Sequence, residues 1–125
     1  MDARHSNKLI AIVDDDESVQ RALQDLMESF GFTARGFGSA EEFLQSGQQH
    51  DTACLIADIR MPGMSGLELQ TRLNAEHSKM PIIFITARGD AKLRMQAMCA
   101  GAVEFLTKPF DEEALLETVR AALAT

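Results

Sequence analysis

Five short aliphatic runs recur along the chain, and each is followed by a stretch in which apolar residues return at helical spacing. The runs are Lys8 to Val13, Phe32 to Phe37, Ala53 to Ala57, Pro81 to Ile85 and Val103 to Leu106. Apolar runs of about five residues suit strands buried on both faces. A strand–helix rhythm requires right-handed crossovers between parallel neighbours. The pattern therefore predicts an α/β domain built on one parallel sheet with helices on both faces. At 125 residues, the stretch 1–125 is expected to form a single domain.

The local punctuation agrees with that rhythm. Asp16 stands where an N-cap should precede Val19, Leu23, Leu26 and Phe30, and Gly31 is a natural stop. Ser39 with Glu42, and Ser65 with Glu68, have the spacing of capping boxes. The first opens a short helix through Phe43 and Leu44, ended by Gly47; the second opens a helix through Leu69 and Leu73. Asp90 is expected to cap a fourth helix through Leu93, Met95 and Met98 up to Gly101, with Met98 in the core. Asp111, Glu112 and Glu113 give the last helix an acidic first turn, and Leu115, Leu116, Val119 and Leu123 follow.

The chemistry lies at the strand ends. The first strand runs into Asp14, Asp15 and Asp16, the third into Asp58, the fourth into Thr86 and the fifth into Thr107 and Lys108. In a parallel sheet these ends share one edge, where open α/β sheets place their ligand crevice. An acid such as Asp58 at the end of a buried strand is poorly explained as core, because an unpaired carboxylate is almost never fully buried. Clustered carboxylates attract a cation, and Mg²⁺ suits a few carboxylates that leave room for water and phosphate oxygens. A carboxylate can also serve as the nucleophile in phosphoryl transfer, with Lys108 and Thr86 as partners for the phosphoryl oxygens.

The balance of 12 Lys+Arg against 19 Asp+Glu leaves a net charge of −7, which argues against this region gripping nucleic acid through phosphates. Cys54 and Cys99 have no metal or redox spacing and are expected to be buried free thiols. His5, His50 and His77 are isolated from one another and are expected at the surface. Met1 to Asn7 has no apolar leader run, and no run approaches membrane-spanning length, so a cytoplasmic protein without a membrane partner is expected.

In this order the motifs Val13-Asp14-Asp15, Asp58-Ile59-Arg60-Met61-Pro62-Gly63-Met64-Ser65-Gly66, Thr86-Ala87 and Lys108-Pro109-Phe110 resemble the receiver domain of two-component response regulators over nearly the whole chain. Ala100 to Phe105 is similar to the FixJ-like subgroup in particular. The resemblance implies a flavodoxin-like (βα)5 doubly wound parallel sheet with strand order 2-1-3-4-5. It implies that Asp58 accepts a phosphoryl group from a sensor histidine kinase. Mg²⁺, with Mn²⁺ as a substitute, would be held by Asp15, Asp58 and the backbone carbonyl of Arg60, and Asp14 would act through water. Thr86 and Lys108 would bind phosphoryl oxygens, Phe105 would be the aromatic switch, and the Lys108–Pro109 bond would often be cis.

The same resemblance implies no enzyme beyond self-phosphorylation and dephosphorylation on Asp58. Phosphorylation would turn Phe105 from an exposed to a buried position and reshape the face formed by the fourth helix, the fifth strand and the last helix, driving homodimerisation or an output domain. A carboxyl-terminal DNA-binding domain, outside this chain, commonly follows such receivers. Three departures stand out: Asp16 as a third acid, Gly63 where Asp is common, and Arg60 and Arg88 at positions that tune water access to the phosphoryl group. Two enzymatic or cofactor alternatives share the chemistry or the sheet. A flavodoxin would meet three aspartates where its flavin phosphate should bind, and a haloacid-dehalogenase-type phosphatase would need a second Asp where Arg60 stands. A single-domain receiver acting by protein–protein contact is the remaining alternative.

Overall fold

The computed structural model describes residues 9–87 and 91–124. The strands are β1 (Leu9–Val13), β2 (Thr33–Phe37), β3 (Thr52–Ala57), β4 (Ile82–Thr86) and β5 (Glu104–Thr107). The helices are α1 (Glu17–Ser29), α2 (Ala40–Gln45), α3 (Gly66–Ala75), α4 (Ala91–Cys99) and α5 (Glu112–Ala124), with a 3-10 turn at Gln49–Asp51 that the sequence pattern did not announce. All paired strands run parallel in the order β2-β1-β3-β4-β5. The expected Asp90 cap, Arg88, the Lys8 start of the first strand and His5 lie outside the described residues.

Alternation along each central strand splits the core into two layers. Ala11 and Val13 of β1, Leu55 and Ala57 of β3, and Ile82 and Phe84 of β4 face one cluster, completed by Phe43 of α2, Leu69 and Leu73 of α3 and Ala97 of α4. Ile10 and Ile12, Cys54 and Ile56, and Ile83 and Ile85 face the other, completed by Leu23 and Met27 of α1 and by Leu115 and Val119 of α5. Each fully buried Leu, Ile or Phe contributes about 1.5–3 kcal/mol, so these strands are held from both sides.

Several boundaries and faces differ from the sequence expectation. The fifth strand starts one residue later, which leaves Val103 exposed and brings Thr107 into register beside Thr86. Apolarity marks the buried part of a strand, whereas the hydrogen-bonded ladder decides its ends. Met98 is exposed rather than core, because α4 turns Ala97 and the partly buried Leu93, one helical turn apart, toward the sheet. Cys99, next along, is exposed too, and only Cys54 is a buried thiol. Asp16 caps α1 as expected, accepting the Ser18 N–H. Ser65 and Glu68 form the complete capping box. Ser39 accepts the Glu42 N–H, but the Glu42 carboxylate takes the Gly38 N–H instead of closing its box.

Candidate functional site

Backbone hydrogen bonds carry the sheet register past the strand ends and set the polar residues side by side. The Asp14 N–H donates to the Phe37 carbonyl at 3.1 Å, and the Asp58 N–H donates to the Val13 carbonyl at 3.0 Å. The Lys108 N–H donates to the Thr86 carbonyl at 2.8 Å. Asp14 and Asp58, 44 positions apart in the numbering, thus become neighbours because β1 and β3 are neighbours.

Asp14, Asp15 and Asp58 each offer a carboxylate oxygen, and these atoms lie within 4.8 Å of one another. Asp14 is 3% and Asp58 8% exposed, whereas Asp15 is open to solvent. Lys108 Nζ reaches into the group, 3.1 Å from Asp14 Oδ2 and 3.4 Å from Asp58 Oδ2. Burial raises the Asp14 carboxyl above its ordinary value, against the opposing pull of the Asp16 N–H and of Lys108. Burial alone would depress the Lys108 ammonium, but its hydrogen bonds and charge contacts with Asp14 and Asp58 outweigh that and raise it. Lys108 therefore stays charged throughout the neutral range. The donor set, three clustered carboxylate oxygens on one rim of the sheet, fits a hard divalent cation.

The remaining expected residues fall on β4 and β5 and on the segments that follow β3 and β5. The Arg60 N–H donates to Asp58 Oδ1 at 3.3 Å, so the Arg60 backbone lies against the carboxylate. Thr86 closes β4 at 1% exposure. Phe105 pairs in register with Phe84 and is 3% exposed. Its ring thus occupies the buried one of the two positions expected from the sequence. The Lys108–Pro109 peptide bond is cis. His50 and His77 are exposed and take no part in the site.

Three residues shape the pocket in ways the sequence did not show. Gly66 is the first helical residue of α3, and a Cβ there would overlap the Asp58 carbonyl oxygen and lie 3.0 Å from Ile59 Cα. The motif from Asp58 to Gly66 contains it, but its steric role follows only from the packing. Glu41 of α2 accepts the Met64 N–H at 3.0 Å, tying down the loop that follows Asp58. Gln20 of α1 donates from Nε2 to the Asp14 carbonyl at 2.8 Å. Neither polar residue differs in type or spacing from a solvated helix position.

Comparison with known proteins agrees with the site. Residues 10–120 match the response regulator receiver domain family. Over 114 residues the chain is 46% identical to nodulation protein W of Bradyrhizobium diazoefficiens, covering 91% of this chain and 50% of that protein. It is 44% identical over 114 residues to the transcriptional regulatory protein FixJ of Azorhizobium caulinodans, covering 91% of this chain and 54% of that one. The chain spans about half the length of these curated relatives. It superposes on the crystal structure of FixJ-N with a TM-score of 0.84 at 37% identity, over 94% of both chains. With its strand order, its acid cluster at the sheet edge and this continuous match, the chain belongs to the receiver domains of two-component response regulators.

Proposed function

We propose that this domain is a phosphorylation switch in which Asp58 takes a phosphoryl group from the phosphohistidine of a sensor histidine kinase. The observation that carries the reading is the meeting of the Asp14, Asp15 and Asp58 carboxylates with the Lys108 ammonium at the end of three different strands. An Asp58 carboxylate oxygen bonds to phosphorus as the N–P bond of the donor breaks and the imidazole leaves. Asp15, Asp58 and the Arg60 carbonyl would hold Mg²⁺, or Mn²⁺ in its place, with Asp14 acting through water. When bound, the ion supplies positive charge to the phosphoryl oxygens and aligns them with the nucleophile. Lys108 neutralises a further phosphoryl oxygen, and the Thr86 hydroxyl donates to another. Hydrolysis of the acyl phosphate at the same pocket resets the switch, so the domain turns over no separate substrate.

The output follows from Thr86 and Phe105. The Phe105 ring is buried in this structure, and phosphorylation would favour that inward position over the outward one, as a shift within an existing equilibrium. The face formed by α4, β5 and α5 is the readout, where Met95 is 66% exposed and Met98 and Val103 are also exposed. Flexible methionine surface suits a contact that must form and dissolve. Self-association through this face, in the cytoplasm, would drive an output domain. One relative is named a transcriptional regulatory protein, and transcription is the output proposed here.

The test is uptake of label from acetyl phosphate or a phosphorylated kinase in the presence of Mg²⁺. A label that is labile to hydroxylamine and absent from Asp58→Asn is expected; wild-type labelling of Asp58→Asn overturns the assignment. Sedimentation with beryllofluoride, with and without Thr86→Ala, tests the output. Dimer in the first case and monomer in the second is expected, and monomer in both removes self-association from the reading.

A further inference from the structure

Gly36 sits inside β2 with no positive φ to require it, and a glycine within a strand weakens the strand. Its reason is space. A Cβ at this position would stand 2.5 Å from Gln20 Oε1 and 2.8 Å from Gln24 Oε1. At Gly38, two residues on, a Cβ would only touch Gln20 Nε2, at an ordinary 3.7 Å, so the gap belongs to Gly36. The half-buried Gln20 side chain therefore lies over a gap in β2, and from there its Nε2 donates to the Asp14 carbonyl.

That bond is one of four on the same residue. The Asp14 N–H is held by the Phe37 carbonyl, its Oδ1 accepts the Asp16 N–H at 2.9 Å, its Oδ2 accepts from Lys108 Nζ at 3.1 Å, and its carbonyl accepts Gln20. The Asp14 carbonyl belongs to the same peptide plane as the Asp15 N–H. Fixing that carbonyl fixes the plane from which the Asp15 side chain departs. Without Gln20, the plane keeps the restraints on either side of it, at the Asp14 N–H and the Asp16 N–H, but loses the bond to its own carbonyl. We propose that Gln20, seated over Gly36, is a positioning residue that orients the Asp14–Asp15 peptide and so holds the Asp15 carboxylate toward the cation. This rests on the reading of the site as a Mg²⁺-dependent phosphoacceptor. The arrangement is analogous to the outer partners that orient metal ligands, whose loss weakens binding by about 10–100-fold.

Gln20→Met keeps the length and bulk of the side chain and removes the donor. Gly36→Ala keeps the donor and removes its seat. Both variants of the 125-residue chain are titrated with Mg²⁺ by calorimetry, and the Asp15 amide resonance is followed by ¹⁵N NMR in EDTA. Each substitution is expected to weaken Mg²⁺ binding about tenfold and to move the Asp15 resonance before any metal is added. The double variant should be no weaker than either single one, and Gln24→Met should bind as the unaltered protein does. If Gly36→Ala does not fold, Gln20→Met decides alone. Equal Mg²⁺ affinity and an unmoved Asp15 resonance in Gln20→Met overturn this inference while leaving the phosphoacceptor reading intact. Absence of Mg²⁺ binding by the unaltered protein overturns both.

Discussion

Glu41 accepts the N–H of Met64 at 3.0 Å across 23 positions of sequence, and it can do so because Gly63 carries no side chain. A Cβ on Gly63 would stand 2.7 Å from Glu41 Oε2, and Gly63 also holds a φ of +77° that other residues adopt reluctantly. Gly63→Ala is therefore expected to cost about 1–2 kcal/mol, combining backbone strain with loss of the Glu41 contact. Glu41→Ala should cost about 1 kcal/mol. Because both remove the same hydrogen bond, the double variant should cost less than the sum, as read from urea midpoints.

Gly66→Ala should be the more damaging glycine substitution. The obstacle there is backbone, the Asp58 carbonyl and Ile59 Cα, which cannot swing aside as a glutamate can. Overpacking of this kind costs about 1–3 kcal/mol. One displaced atom belongs to Asp58, the proposed nucleophile, and the other to the next residue, so phosphoryl uptake should fall along with the melting midpoint. A Gly66→Ala protein with unchanged labelling would show that the loop absorbs the methyl group.

The raised carboxyl of Asp14 sets a pH dependence. The fold disfavours its charged form, so above the raised pKa the metal-free protein carries that cost in full. The cost fades as pH falls through the raised value and is gone below 3.8, where the unfolded group is protonated as well. Asp14→Asn should accordingly raise the melting midpoint in EDTA at neutral pH, with a gain that shrinks toward pH 4. A gain independent of pH would assign the effect to packing rather than charge.

The two thiols should differ sharply. Burial pushes the Cys54 thiol up to about 12, while Cys99 lies open on α4. A disulfide reagent at mildly alkaline pH is expected to modify one thiol per chain quickly and the second only after denaturation. Cys99→Ser should abolish the fast phase.

What could be read in the residues was whatever local chemistry determines. Asp16, Ser39 and Ser65 cap their helices because a short oxygen-bearing side chain before an apolar periodic stretch has few other uses there. Five aliphatic runs ending in polar residues were enough to bring Asp14, Asp15, Asp58 and Lys108 to one rim, since parallel strands align their carboxyl ends. Met98 was misplaced because α4 spans only nine residues, too few for its apolar positions to settle which side faces the sheet. Phe105 was given both an exposed and a buried position, because an aromatic residue in a strand at the edge of the sheet packs either way. Gln20 and Glu41 were invisible for a different reason. Each depends on an absent side chain elsewhere, at Gly36 and Gly63, and such a gap is recognisable only once the elements are assembled.

The ammonium of Lys108 between Asp14 and Asp58 has a consequence for charge counting. With its three acids ionised, the empty pocket carries two uncompensated negative charges rather than three. A divalent ion would bring that total, lysine included, to zero. In the proposed reaction a phosphoryl group on Asp58 removes one carboxylate charge and adds up to two, so the metal-loaded pocket gains at most one negative charge. Lys108 would then serve as a resident cation that turns from the Asp58 carboxylate to the phosphoryl group. The metal-loaded pocket would thereby stay within about one unit of electrical balance before and after transfer.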